Sequence, residues 1–196
     1  LPLPPYIRER VPDTERYQTI YSKEEGSIAA PTAGLHFTGR LMKRLKEKGA
    51  EIIFVTLHVG WDSFRPLTSD NPLEHHMHSE YWDLPEKSAQ AINLAKREGR
   101  RVISIGTTAT RLLENVALDQ AGPPIFGGYG WADIFITPGH SFRILDALVT
   151  NFHLPRSTLL MLTSAIAGKE LLQQAYKHAV RAKYRFYSFG DAMFIT

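Results

Sequence analysis

The 196-residue sequence contains no cysteine, and this absence removes several kinds of site. Without thiols the chain has no disulfide framework, thiolate nucleophile, iron–sulfur cluster or cysteine-ligated zinc centre. It also lacks an apolar run long enough to cross a bilayer. With 43% hydrophobic and 22% charged residues, the composition is that of a globular protein rather than a disordered or fibrous one.

The signature motifs of several common enzyme classes are also missing. There is no G-x-G-x-x-G dinucleotide fingerprint and no phosphate-binding G-x-x-x-x-G-K-[ST] loop. The G-x-S-x-G turn of α/β-hydrolases and the H-E-x-x-H motif of zinc peptidases are absent too. The sequence therefore gives no support to a nicotinamide enzyme, a P-loop nucleotidase or a serine hydrolase.

The net charge of +3 is too small to indicate a polyanionic partner, but the cations are clustered. The clusters are Arg40, Lys43, Arg44, Lys46 and Lys48; Lys96, Arg97, Arg100 and Arg101; and Lys177, Arg181, Lys183 and Arg185. Each cluster alone is typical of a solvated helix face. If the clusters share one face of the protein, an RNA-sized polyanion becomes a candidate partner.

Hydrophobic periodicity predicts strands that alternate with helices, and hence an α/β sheet flanked by helices. The predicted strands are 52–57, 101–105, 134–136, 147–149 and 185–195. The predicted helices are 38–49, 85–99, 107–116, 157–167 and 171–183. Thr38 and Ser157 are the predicted caps of the first and fourth of these helices.

The clearest local signal is Gly106-Thr107-Thr108, where a predicted buried strand ends and a helix begins. Free N–H groups at a helix start, together with hydroxyl groups, form a site for an anion or a polar ligand. In open α/β sheets such ligands bind at the carboxyl ends of strands. An ordinary capped helix is the alternative interpretation of the same residues.

Residues 74–80 contain three histidines and two glutamates. Adjacent His75 and His76 cannot both point into one site in regular structure, so a surface loop is favoured over a metal centre. His78 and Glu80 are two residues apart and would share a face in an extended segment, where they can form an acid–base pair.

Three further segments place a histidine or an asparagine at the edge of a predicted strand or helix: 30–37, 57–60 and 150–157. This position is typical of active-site residues in α/β proteins. For any single histidine, a structural role with backbone partners is the alternative. Together with the Gly-Thr-Thr turn, the segments favour an enzyme.

Most of these segments resemble a single family. They read AAPTAGLHFT (29–38), VTLHVG (55–60), FRPL, EHHMHSEYW, ISIGTTATRLLEN, GWADIFITPG (130–139), LVTNFHLPRSTLLMLTSAIAG (148–168) and YRFYSFGDAMFI. In this order they resemble the S-adenosylmethionine:tRNA ribosyltransferase-isomerase family of queuosine biosynthesis. The resemblance runs from the opening PLPPYI to the last residues, and TNFHLPRSTLLML is its most specific part.

The resemblance implies an enzyme that transfers the ribosyl part of S-adenosylmethionine rather than its methyl group. The acceptor would be the aminomethyl nitrogen of 7-aminomethyl-7-deazaguanine at the wobble position of a tRNA, and adenine and methionine would leave. The product would be epoxyqueuosine. S-adenosylmethionine is then a substrate, tRNA is the partner, no metal and no membrane are expected, and the expected location is the bacterial cytoplasm.

The resemblance also implies the domain organisation. Residues 1–196 would form the α/β catalytic core of a two-domain enzyme whose smaller β-rich domain is largely absent from this chain. Residues 1–25 are a candidate remnant of the junction between the two domains. One loop departs from the family pattern, since Trp61 and Asp62 stand where the family usually has two small residues.

Such a reaction needs a base to remove the acidic proton beside the sulfonium. The candidates for this catalytic role are His58, His78, Glu80 and His153. Departing adenine needs a hydrogen-bond donor, for which the candidates are Asn151 and Thr108.

The tRNA would need cations for its phosphates and aromatic rings for its splayed bases. The cation candidates are Arg65, Arg111 and Arg156, and the ring candidates are Tyr129, Trp131 and Phe152. The other substrate-binding candidates are Thr32, Gly34, His36, Gly60, Gly106 and Thr107.

Two alternatives stay open at this point. The chain can be an inactive tRNA- or nucleoside-binding fragment of this enzyme, because a missing domain would leave the site incomplete. A conventional methyltransferase is the other alternative, although the absent glycine-rich fingerprint argues against it.

Overall fold

The computed structural model describes residue 7 and residues 14–60 and 77–196, and within them the chain forms a mixed α/β fold. The strands are β1 (Thr56–His58), β2 (Glu80–Leu84), β3 (Ile103–Ile105), β4 (Gly128–Ala132), β5 (Ala147–Asn151) and β6 (Ala192–Ile195). The helices are α1 (Gly39–Glu47), α2 (Glu86–Arg97), α3 (Thr107–Asp119), α4 (Thr158–Ala167) and α5 (Lys169–Arg181). Two short 3-10 helices, Thr14–Tyr17 and Thr32–His36, precede α1.

The strands of the described residues form two separate three-stranded sheets. The first sheet has the order β1-β2-β4 and is antiparallel throughout. The second has the order β3-β5-β6, with β3 parallel to β5 and β6 antiparallel to β5. The predicted α/β class is therefore confirmed, whereas the prediction of a single sheet is wrong. The strands are only three to five residues long, and their arrangement into sheets depends on pairing between residues that are far apart in the sequence.

Three strand predictions need correction. The apolar run at 52–57 enters a strand only at Thr56, and Ile53 and Phe54 are 36% and 47% exposed. Residues 134–136 are not a strand, although Ile134 and Ile136 are buried in the second hydrophobic cluster. The predicted strand at 185–195 forms only in its last part, as β6. In each case apolar residues are present, but no strand among the described residues pairs with part or all of the run.

Local capping signals, by contrast, are confirmed. The Thr38 hydroxyl accepts a hydrogen bond from Leu41 N at 3.2 Å, and the Ser157 hydroxyl accepts one from Leu160 N at 3.2 Å. Gly168 separates α4 from α5 in a left-handed conformation with φ of 78°, which favours glycine. These features depend on three or four neighbouring residues, which is why a single sequence reveals them.

Helix α3 lies between the two sheets and contacts strands of both. On one side Leu112 and Val116 pack with residues of β2 and α2 in the larger hydrophobic cluster. A smaller cluster under the second sheet includes Leu148 of β5 and Leu162 of α4. Because α3 begins directly after β3, this packing fixes the position of the turn at Gly106.

A buried carboxylate on α3 holds the loop that leads into β5. Glu114 is fully buried, and its Oε1 accepts hydrogen bonds from the backbone N–H groups of Ile144 and Leu145, both at 3.0 Å. Its Oε2 accepts one from Arg143 N at 2.8 Å. The carboxylate therefore replaces water as the acceptor for three consecutive backbone donors.

We predict that Glu114→Gln lowers the free energy of unfolding by about 2–4 kcal/mol, because the amide turns one acceptor into a donor that faces a buried N–H. Urea denaturation measures this change. Glu24→Gln, the same substitution at an exposed position, is the control and should change the free energy by less than about 0.5 kcal/mol. Equal effects of the two substitutions would contradict the role given to Glu114.

Candidate active site

Four segments meet at the carboxyl end of β5: the 3-10 helix Thr32–His36, the turn at Gly106, Asn151 and Gly190. We call this meeting point the Asn151 junction. Because β3 and β5 are parallel, both end at the same edge of the second sheet, where α/β proteins bind ligands. The hydrogen bond from Gly106 N to Val149 O, at 2.8 Å, holds the turn against β5.

Asn151 is the centre of the junction and is 2% exposed. Its Oδ1 accepts a hydrogen bond from the Thr32 hydroxyl at 3.0 Å. Its Nδ2 donates to the carbonyl oxygen of Gly190 at 3.3 Å and lies 3.4 Å from Nε2 of His36. Three residues that the sequence nominates in two separate segments are therefore neighbours in the fold.

Two of the three glycines in the candidate list, Gly34 and Gly106, have packing reasons for their identity. Gly106 has φ of 89°, and a Cβ there would lie 3.7 Å from the Cβ of Ala33, so the 3-10 helix packs directly against this turn. A Cβ at Gly34 would overlap the hydroxyl of Tyr21. Beside Gly106, Thr107 is buried and Thr108 is half-buried at the start of α3.

His153 follows the junction along the chain. Its Nε2 lies 2.7 Å from the Thr150 hydroxyl, and its backbone N–H donates to the Tyr176 hydroxyl at 2.8 Å. Burial lowers the pKa of His153 to about 4, so the ring is neutral and a weak base at neutral pH. The same burial raises the pKa of Tyr176 to about 12.

Phe152 is enclosed by other rings, which argues against the base-stacking role predicted for it. It is 3% exposed, and the rings of Tyr176, Tyr184 and Phe186 surround it at centroid distances of 5.3, 5.9 and 4.8 Å. A base cannot reach its face without displacing these rings. Phe152 instead stabilises the segment that carries Asn151 and His153.

Arg111 is likewise unsuited to the tRNA phosphates, for which it was a candidate. It is 6% exposed and forms an ion pair with the carboxylate of Glu80, which is 4% exposed. Its Nε also donates to Ile134 O at 3.4 Å. A phosphate-binding cation must be accessible, whereas this pair joins α3 to β2 inside the protein.

Glu80 and His78 do not form the shared-face pair that their spacing suggested. His78 is exposed, whereas Glu80 is buried at the start of β2. Besides its ion pair with Arg111, Glu80 accepts a hydrogen bond at Oε1 from Gly60 N at 3.3 Å. Glu80 therefore holds the end of the β1 segment through Gly60.

The first sheet carries a row of rings. Tyr81 stacks on His58 at a centroid distance of 5.8 Å and contacts Trp131 and Tyr129 at 5.7 and 6.4 Å. Tyr129 and Trp131 are 74% and 66% exposed, so their faces are accessible to a ligand. The sequence interpretation missed Tyr81. The available signal was the adjacent aromatic pair Tyr81 and Trp82, whose side chains lie on opposite faces of β2.

His58 is linked to the junction by a short stretch of chain. Val59 donates from its backbone N–H to the Ser27 hydroxyl at 3.0 Å and accepts from Ile28 N at 3.1 Å. Four residues after Ile28, Thr32 reaches Asn151. Nδ1 of His58 is buried and has no hydrogen-bond partner among the described residues.

Arg156 is an exposed candidate, with a left-handed φ of 56° directly after Pro155. Arg65, His75, His76, Trp61 and Asp62 lie outside the described residues. In the described part of the chain, no group of three His, Cys, Asp or Glu residues is placed to hold a metal ion. None of the helices in residues 14–60 and 77–196 has the length and apolar character needed to span a membrane.

The sequence interpretation also missed Gly190 and Asp191, which lie in the quoted segment YRFYSFGDAMFI. Gly190 supplies the carbonyl that binds Asn151. Hydrogen bonds from the backbone and side chain of Arg185 lower the pKa of Asp191. A glycine–aspartate turn beside a strand was the available signal.

We predict that His153 makes the protein sensitive to acid. Its pKa is about 4 in the folded chain and near 6.5 when unfolded, so between these values only the unfolded chain takes up the proton. Stability therefore falls as the pH drops from about 6.5 to 4, by up to about 3 kcal/mol. His153→Gln should remove this part of the decrease, as measured by urea unfolding at pH 7 and pH 4.5.

The control for this prediction is His178→Gln, since His178 is exposed near the end of α5. It should keep the pH dependence of the unmodified protein. If His153→Gln keeps it as well, the burial of His153 does not govern acid sensitivity.

Comparison with known proteins gives a consistent result. The sequence profile of the family described as queuosine biosynthesis protein matches residues 1–195. A curated relative from Natranaerobius thermophilus, named S-adenosylmethionine:tRNA ribosyltransferase-isomerase, is 56% identical over 195 residues, which are 100% of this chain and 56% of the relative. This chain therefore spans about half the length of that relative.

A solved structure shows the same similarity. The crystal structure of S-adenosylmethionine tRNA ribosyltransferase from Thermotoga maritima matches with a TM-score of 0.69 and 42% identity. The match covers 84% of this chain and 51% of that chain. The chain that carries the Asn151 junction therefore belongs to the queuosine biosynthesis protein family, as its sequence motifs predicted.

Proposed function

We propose that this protein is an S-adenosylmethionine-dependent tRNA ribosyltransferase-isomerase. It transfers the ribosyl part of S-adenosylmethionine to 7-aminomethyl-7-deazaguanine at the tRNA wobble position, giving epoxyqueuosine and releasing adenine and methionine. The names of its relatives support this proposal. The observation that carries it is the Asn151 junction, where three of the motif segments meet through side chains at the end of a parallel strand pair.

The nucleoside of S-adenosylmethionine is assigned to the junction. His36 contacts Asn151 there, and Gly106, Thr107 and Thr108 lie at the start of α3, beside β5, where they supply polar groups. The oxygen and the nitrogen of the Asn151 amide both have protein partners. Asn151 therefore positions its neighbours rather than donating a hydrogen bond to departing adenine. The Thr108 hydroxyl, at the half-buried start of α3, remains the donor candidate for departing adenine.

His58 is the base that this proposal favours. Removing the proton beside the sulfonium requires an imidazole or carboxylate that is not already neutralised. Glu80 is paired with Arg111, and the pKa of His153, near 4, makes it a weak base. His58 lies at the end of β1, beside the row of rings and one short segment from Thr32.

The tRNA is assigned to two exposed surfaces. Tyr129 and Trp131 present accessible rings on which splayed anticodon bases can stack. Helix α1 supplies cations, because five basic residues lie between positions 40 and 48 and none of its residues is buried. Arg40 and Arg44 share one face of α1, which begins three residues after His36.

The direct test is turnover by the full chain. With S-adenosylmethionine and tRNA that bears the aminomethyl-deazaguanine, we expect adenine and methionine to be released. His58→Ala should lower kcat by about 100-fold or more, because a general base contributes that much, and should change tRNA affinity by less than about 3-fold. His178→Ala, an exposed histidine, is the control and should leave kcat unchanged.

Other outcomes identify the alternatives. tRNA binding with steep salt dependence but no product would indicate an inactive binding fragment. Methylated tRNA with S-adenosylhomocysteine would indicate a methyltransferase. Normal turnover by His58→Ala would exclude His58 as the base.

The role of α1 is tested by the double variant Arg40→Ala/Arg44→Ala. Loss of two phosphate contacts should weaken tRNA binding on the order of 10-fold and reduce the slope of log Kd against log salt by about 1 to 2. Filter binding at several salt concentrations measures both quantities. Lys87→Ala/Arg97→Ala on α2 removes the same charge from two exposed positions of another helix and should have little effect. Equal losses in the two double variants would refute a specific α1 contact.

A further inference from the structure

We infer that His36 binds its ligand as a neutral hydrogen-bond donor through Nδ1, in a tautomer that Asn151 imposes. This deepens the proposed function and rests on it for the identity of the ligand, because it names the atom that recognises the nucleoside. Sequence alone placed His36 among the substrate-binding residues without a role for either ring nitrogen. The geometry of the Asn151 amide supplies that role.

The orientation of the Asn151 amide is fixed without reference to His36. The Gly190 carbonyl oxygen, 3.3 Å from Nδ2, can only accept a hydrogen bond, so the amide nitrogen must face it. The opposite orientation would place two acceptors against each other at a residue that is 2% exposed. The Thr32 hydroxyl then donates to Oδ1 at 3.0 Å, which agrees with the same orientation.

This orientation determines the tautomer of His36. An amide nitrogen carries two hydrogens, of which one is directed to Gly190 and the other toward Nε2 of His36, 3.4 Å away. Nε2 must therefore be the acceptor nitrogen of the ring. A neutral imidazole has one donor and one acceptor nitrogen, so the hydrogen lies on Nδ1.

The environment leaves that hydrogen available to a ligand. The His36 side chain is exposed at the junction, and no hydrogen bond of its Nδ1 is formed within the described residues. The nearby carboxylate of Asp191 is held by Arg185 instead, through the backbone N–H at 2.8 Å and the side chain at 3.2 Å. His36 is therefore a donor with a defined direction beside the Gly106 turn.

A neutral N–H donor gains no ion-pair energy from an anionic ligand, and under the proposed function its acceptor is a purine ring nitrogen or a ribose hydroxyl oxygen. Both belong to the nucleoside half of S-adenosylmethionine rather than to its methionine half. Asn151 is then a positioning residue that acts through His36. His36 contributes binding and orientation, whereas the base must be another residue, in agreement with the assignment of His58.

Nitrogen-15 NMR of the full chain, with labelled histidine, tests the tautomer directly. His36→Gln assigns the resonances, and we expect the hydrogen of neutral His36 on Nδ1. Adenosine should shift the Nδ1 resonance, and methionine should not. A hydrogen on Nε2, or a response to methionine alone, would overturn the inference.

Two variants test the contribution to binding. His36→Ala should weaken binding of S-adenosylmethionine by roughly 3- to 10-fold, the usual effect of one lost hydrogen bond. His36→Gln keeps an N–H donor and should recover most of that loss, whereas equal losses would contradict the donor role. The two proposals fail separately, because the tautomer and adenosine binding are measured without tRNA. Ribosyl transfer with the hydrogen on Nε2 would refute only the role of His36.

Discussion

The parallel pairing of β3 with β5 is the constraint on which the rest of the site depends. It aligns Ile105, the last residue of β3, with Val149, so that Gly106 turns against β5 two residues before β5 ends at Asn151. The other edge of β5 pairs with β6, which places Gly190 next to Asn151. One short ladder therefore gathers three segments that lie far apart in the sequence. Only the 3-10 helix with Thr32 and His36 must be added by side-chain bonds.

Sequence reasoning succeeded where structure is decided locally. The caps at Thr38 and Ser157 and the break at Gly168 depend on adjacent residues, and all three are present. It failed for the first sheet, because strands β2 and β4 were not predicted. Strand β4 is glycine-rich, and β2 carries an inward-facing glutamate that interrupts the alternation of apolar residues. The family motifs named most residues of the junction, but periodicity could not show that they meet.

Burial also separates residues of the same chemical type into different roles. Glu80 and Arg111 looked like a base and a phosphate ligand in the sequence, yet they form an ion pair with each other inside the protein. Glu114 is also a buried carboxylate, and three backbone N–H groups stabilise it by donating hydrogen bonds. Spacing along the chain does not reveal such partners, because they come from elements 30 residues away.

Helix α1 has a consequence for the energetics of the tRNA contact proposed for it. It is nine residues long, it has no buried residue, and isolated helices of that length are marginal in water. Local unfolding of α1 therefore costs less free energy than local unfolding of the packed helix α3. In the proposed tRNA complex, contacts that hold α1 in place must offset this conformational entropy, which lowers affinity.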